Sequence, residues 1–243
     1  MKKLLLIAMA GVLAGSALAN DEEELAVERC WTPVQINLAS PLGVLWSDRD
    51  VYGLRLNLIY GHSLDVAGLD LGLVGATRGS VYGLQANLFN YVDGAFRGVE
   101  FGPIANFSVK NAYGVRIAGI LNWSLDDGAG FEMGLLNVGT AYTGVEFGFV
   151  NWNSSTVTGL ALGFVNASQT DFKGCGLGFA NFCKGNLRGC QLGCFNMISG
   201  HSEGLQLGLF NAAEDHNGVQ IGLLNINGNG ALPIMVLVNA NFR

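Results

Sequence analysis

Residues 159–197 read GLALGFVNASQTDFKGCGLGFANFCKGNLRGCQLGCFNM, and one unit is written there three times, from Gly159, Gly174 and Gly189. Outward from this stretch the unit recurs at Gly53, Gly68, Gly83, Gly98, Gly114, Gly130, Gly144, Gly204 and Gly218. Twelve copies therefore follow one another at steps of 14 to 16 residues, most often 15. A period this short and constant means one supersecondary unit used repeatedly, in a quasi-one-dimensional or a closed architecture.

Within a copy, counted from its first glycine as position zero, apolar residues alternate at +1, +3 and +5, as in Leu205, Leu207 and Leu209 or Val145, Phe147 and Phe149. This period of two is the strand signature. Position +7 is usually Asn and position −1 is usually polar, as in Lys173, Arg188 and Thr158. On the opposite face, position +2 is polar in ten copies: Arg55, Asp70, Gln85, Glu100, Arg116, Glu132, Glu146, Gln191, Gln206 and Gln220. Ala161 and Gly176 break that series. About four residues remain for each connection, such as Cys183-Lys184-Gly185-Asn186, and four-residue hairpin loops are common.

These features predict an antiparallel meander closed into an outer-membrane-type β-barrel. Pairing Phe182 with Leu187 across one turn sets Gly174 opposite Phe195, Asn181 opposite Arg188, and Cys175 opposite Cys194, an expected disulfide pair. Twelve copies plus strands at Pro33–Ser40 and Pro233–Phe242 give about fourteen strands, an even number as such barrels require. A strand of about eleven residues tilted by about 40° rises roughly 28 Å, enough for the apolar band. In this reading +1, +3 and +5 face lipid. The +2 belt lines a lumen that is a narrow polar pore for ions or small polar solutes, or is simply filled by hydrogen bonds. Phe89, Phe195, Phe210, Val150 and Val165 at +6 also point inward. The alternative is a parallel β-solenoid with 15-residue coils, a secreted or surface spacer or binding module, in which the +7 Asn residues form a ladder and Cys175 stacks on Cys190. The constant period favours it; the uninterrupted alternation favours the barrel.

The ends and composition set the location. Residues 1–19 have the form of a secretory leader, with Lys2 and Lys3, an apolar run from Leu4 to Leu13, and Ala17-Leu18-Ala19 before the cleavage site. Residues 20–32 form an acidic, unstructured start and 33–243 a single repeat-built β domain. Loss of Lys2 and Lys3 leaves 11 basic against 19 acidic residues, a net charge of −8, which argues against nucleic acid as a partner. Half the chain is apolar, 13% is charged, and the mean hydropathy is +0.35. The leader's apolar run is too short to span a bilayer as a helix and no later run is long enough, so strands with one face in an apolar medium are expected.

The tandem units G-[LV]-Q-[LI]-G-[LF]-x-N, entered through Val51-Tyr52-Gly53-Leu54-Arg55-Leu56-Asn57-Leu58-Ile59-Tyr60-Gly61, resemble a family of bacterial surface-repeat proteins over roughly 33–242. The resemblance implies export and association with the outer membrane or cell surface of a Gram-negative-type bacterium, with outer-membrane lipid as the partner. It implies no biochemical activity. Asn57 in place of glycine, Gly75 in place of Asn and Pro103 inside a strand depart from the pattern. Pro103 predicts a bulge or a local break in pairing.

Nothing in the sequence points to an enzyme, a metal or a cofactor. His62, His201 and His216 fall in expected turns. Asp126-Asp127-Gly128 lacks the alternating oxygen ligands of a calcium loop. Cys175, Cys190 and Cys194 occupy positions where Leu stands in other copies, which suits small apolar residues or a disulfide better than zinc.

Overall fold

The computed structural model describes residues 30–39, 42–43, 49–230 and 232–242. The chain falls into two units, 1–30 and 31–243. The leader expected over 1–19, and the acidic start apart from residues 30–32, lie outside the described residues.

The twelve units stack in parallel and in register. Gly174 pairs with Gly159 on one side and Gly189 on the other, and Asn181 lies between Asn166 and Asn196. Gly174 is therefore not opposite Phe195, nor Asn181 opposite Arg188. The antiparallel meander, and the barrel of about fourteen strands built on it, are overturned. The fold is a parallel β-solenoid of twelve coils, each opening on one positive-φ glycine. The strand Trp31–Ala39 adds in parallel before the first coil, while Ile234–Asn241 closes the other end in antiparallel pairing with the last.

The unbroken alternation misleads because a solenoid's hydrogen bonds run along the stack, from each coil to the next. A bend shared by neighbouring coils costs no backbone bond. Strands such as Tyr142–Asn153 and Val157–Ser168 stay paired along their whole length. They nevertheless reverse direction, because the Glu146 carboxylate accepts from Asn153 Nδ2 at 3.0 Å within one coil. The reversal falls between +4 and +6, where some coils break outright. Pro103 lies in one such break, between Phe96–Gly102 and Ala105–Ser108.

Two glycine positions make this path possible. The leading glycine of each coil has φ between +123° and +146°, a region closed to ordinary L-residues. A Cβ on Gly174 would overlap the carbonyl oxygen of Gly159 in the coil before it. The second glycine makes room for Asn: a Cβ on Gly163 would lie 2.9 Å from Asn151 Nδ2 and 3.0 Å from Asn166 Oδ1. The +7 Asn thus turns inward at the corner rather than ending a strand on a lipid-facing surface.

The apolar interior is a thin strip on the turn side. Val51, Val66, Val81, Val92, Phe96 and Ala112 form one cluster; Val157, Ala161, Phe172, Cys183, Leu187, Ile198 and Ala213 form another. Tyr142 lies in the same strip, and apart from small residues such as Ala76, Ala118, Ala167 and Ala180 the rest of the described interior is polar.

Candidate functional site

All ten +2 residues are buried, at 0–3% exposure, but they bond to one another and to facing side chains instead of lining a channel. At the N-terminal end, Arg55 pairs with Asp70 through both Nε, at 2.8 Å, and Nη2. It also donates to Thr77 Oγ1 at 3.0 Å and to the Ala76 carbonyl at 2.9 Å. Asp70 takes further bonds from Asn57 at 2.7 Å and Gln85 at 2.8 Å. At the C-terminal end Gln220 donates to Gln206 at 2.7 Å, and Gln206 donates to Gln191 at 3.3 Å.

The middle of the row carries excess negative charge. Arg116 reaches Glu100 at 2.7 Å and Glu132 at 3.1 Å, while Glu146 stacks on Glu132 and has Asn153 as its hydrogen-bond donor. Desolvation by burial raises all three carboxyl pKa values, Glu132 to about 7 and Glu146 to about 8, the latter also through repulsion from Glu132. Arg116 opposes the rise at Glu100 and Glu132.

Beside this row runs the Asn ladder. Asn166 Nδ2 donates to Asn181 Oδ1 at 2.9 Å and to the Leu177 carbonyl at 3.0 Å, and its Oδ1 accepts from Asn151 at 2.7 Å. The same arrangement links Asn90, Asn106, Asn122, Asn137, Asn151, Asn166, Asn181, Asn196, Asn211 and Asn225.

The outer surface has the opposite character. Phe149, Phe164 and Phe179 are 43–55% exposed and stack with ring planes 1° apart at 4.9 and 4.8 Å. Phe195 and Phe210 continue the file at 5.5 and 5.3 Å. Expected to point inward, Phe89, Phe195 and Phe210 instead stand 36–43% exposed on the wall, because the corner reverses which alternate residues face in. The +1, +3 and +5 residues face outward as expected, although into the surface of a solenoid. A second file, Tyr91, Phe107 and Trp123, follows the corner at ring spacings of 5.4 Å.

Charge is kept off this wall. Between Asp50 and Asp215, every Asp, Glu, Lys and Arg is either in the buried +2 row or in the turn edge that ends at position −1. Along that edge Arg188 forms an ion pair with Glu203 at 3.2 Å, and the His201 ring lies 2.9 Å from Asp215 and 3.4 Å from Glu203.

The cysteines follow the parallel register. Cys175 is joined to Cys190, Cα to Cα 4.7 Å, while Cys194 is free. The pairing of Cys175 with Cys194 falls with the meander that placed them opposite each other. Cys183 is buried and Cys30 exposed. Of the histidines placed in turns, His201 lies on the turn edge, His62 is a half-buried strand residue, and His216 is buried in the interior strip. His216 Nδ1 lies 3.0 Å from Ser202 Oγ, a nucleophile–base contact on paper, but both residues are sealed at 1% and 0% exposure.

No protein-family model, curated protein or solved structure matches this chain. The Asn ladder was expected only of the solenoid alternative, and the confinement of surface charge to one edge escaped the sequence reading. The corner that turns the ladder inward had a signal. Bulky residues at consecutive positions +5 and +6, followed by Asn at the odd position +7, mark a switch of the inward face, and hence a corner.

Proposed function

We propose that this protein is an exported, non-enzymatic envelope solenoid that lies along a membrane with its apolar wall seated in one leaflet. The observation that carries the reading is the inverted polarity: a hydrogen-bonded polar interior, an uncharged apolar wall around the corner, and surface charge restricted to the opposite edge. A chain in water does the reverse, and exposed apolar patches of more than a few hundred Å² mark interaction sites. Backbone groups between the first and last coils are satisfied by stacking, the condition for placing backbone in hydrocarbon.

Dimensions support lipid over a rigid partner. From +1 to +5 the wall is five residues tall, about 16 Å at strand rise, close to half of a roughly 30 Å hydrocarbon core. Twelve coils at about 4.8 Å make a keel about 58 Å long, apolar on both sides of its edge. A folded partner fits one such face, whereas acyl chains fit both. The resemblance to bacterial surface-repeat proteins and the leader-like N-terminus support the outer membrane as the location.

The test is flotation with zwitterionic phosphatidylcholine vesicles. The protein is expected to rise with the lipid, and a variant carrying Phe149→Lys, Phe164→Lys and Phe179→Lys to remain at the bottom. These rings bond to nothing in the interior, so circular dichroism should be unchanged in the variant. Wild-type protein that stays monomeric in plain buffer and ignores the vesicles sinks the proposal.

A further inference from the structure

Each coil's edge is covered by the next until the last, where the strand Ile234–Asn241 turns back antiparallel, Gly218 opposite Asn241 and Ile226 opposite Ile234. Among the described residues nothing pairs with the outer edge of that strand. Solenoid ends are normally closed by polar caps, and open edges are blunted by charge, proline or a crossing segment. The opposite end has such devices: Pro33 within Trp31–Ala39, and the short antiparallel strand Leu42–Gly43 against it. The sequence from Ile234 to Phe242, IMVLVNANF, has neither charge nor proline.

The closing strand also carries backbone strain. Leu237 has φ of +69°, the one non-glycine residue with positive φ among the described residues, at the register shift opposite Gly222. For a bulky side chain this is a genuine outlier, and such strain persists where the surroundings impose it or where function uses it. Around it three consecutive residues, Val236, Leu237 and Val238, stand outward at 65%, 64% and 48% exposure.

We infer that this edge pairs with the same strand of a second copy, antiparallel about a twofold axis, to give a tail-to-tail dimer. The strand is self-complementary in that arrangement. With a residue on the axis, partners share parity, so Ile234, Val236, Val238 and Ala240 meet one another on one face and Asn239 stays on the other. The pairing is closed, because among the described residues the far end of the stack carries Pro33 and the short crossing strand Leu42–Gly43 instead of a matching edge, so the contact ends at two copies rather than growing a filament. It also joins the two apolar walls into one continuous keel.

The inference goes beyond the membrane reading and is tested separately from it, in detergent micelles that cover the wall. Variants with a single free cysteine, Val236→Cys, Val238→Cys and Ala240→Cys, are prepared with Cys30, Cys183 and Cys194 replaced by Ser and the Cys175–Cys190 disulfide kept, and are mildly oxidised at low micromolar concentration. One of the three is expected to form a covalent dimer in high yield, and sedimentation in micelles should show twice the monomer mass without oxidation. Leu207→Cys, on the wall two strands in from the closing strand and hence roughly 24 Å from its twofold mate at about 4.8 Å per strand, should remain monomeric. Monomers in all three variants overturn the inference. So does equal cross-linking through Leu207→Cys, which would mark non-specific association through the wall.

Discussion

Glu146 is a buried carboxylate stacked between Glu132 on one side and Ala161 on the other, with the Asn153 amide as its hydrogen-bond donor. Arg116, the nearest cation of the row, already serves Glu100 and Glu132. Burial therefore keeps protons on Glu132 up to about pH 7 and on Glu146 up to about pH 8, against 4.5 for an ordinary glutamate. The folded chain thus binds more protons than the unfolded one between these limits, and stability must fall as pH rises. The contribution is complete below about pH 4.5 and is lost as pH climbs through about 7 and then 8. Glu146→Gln keeps an acceptor for Asn153 and removes the ionisable group. It is expected to flatten the decline and to stabilise the protein by about 1–3 kcal/mol at pH 8.5. Denaturant midpoints measured from pH 5 to 8.5 check this, and parallel profiles for the two proteins would contradict it.

At the scale of one coil, the corner and its Asn are the decisive element. An Asn at +7 satisfies three neighbours at once: the next Asn, the next coil's backbone carbonyl and the preceding Asn. Replacing Asn166 by Leu, of similar size, leaves Asn181 Oδ1 without its donor and Asn151 Nδ2 with only the Leu162 carbonyl. The expected cost is about 2–4 kcal/mol, since the lost partners are buried. Thr156→Ala on the exposed turn edge should stay within about 0.5 kcal/mol, and urea titration of both variants makes the comparison. This element also explains what the sequence disclosed. Period-two alternation correctly gave strands, the outward +1, +3 and +5 residues and the inward +2 row, because side-chain parity does not depend on the neighbour's direction. It could not give that direction, and the glycines that permit a corner look the same as glycines covered by a cross-strand aromatic. The near-constant 15-residue step was the sequence's own argument for stacking, since identical residues at a fixed interval are what in-register coils require. The polar belt was legible as inward-facing, but whether it faced water or itself depended on the interior width, which only the corner sets.

Over the whole molecule, each coil contacts its two neighbours and little else, so stability is close to a sum of coil and interface terms. That modularity yields a prediction that separates stacking from any closed sheet. Deleting residues 145–159 joins Gly144 to Leu160 and removes one complete coil. The composite coil keeps Tyr142 in the apolar strip, Ala161 in the +2 row and Asn166 in the ladder. Asn166 then accepts from Asn137, whose side chain bonds Asn151 in the intact chain. The deletion also discards Glu146, the carboxylate least compensated in the interior, so the lost interface is partly offset. The shortened protein is expected to fold with an unchanged circular-dichroism line shape and a loss of no more than about 3 kcal/mol. Deleting residues 145–152 removes a similar kind of sequence but half a coil. It brings Asn153 directly after Gly144 and shifts the glycine, the corner and the Asn out of line with both neighbours, so it should abolish cooperative unfolding. If both deletions were equally disruptive, the coils would not be independent units. A whole-coil deletion that folds while the half-coil deletion fails is the outcome that parallel, in-register stacking demands, because the interval between one carbonyl and the glycine above it must remain one full turn.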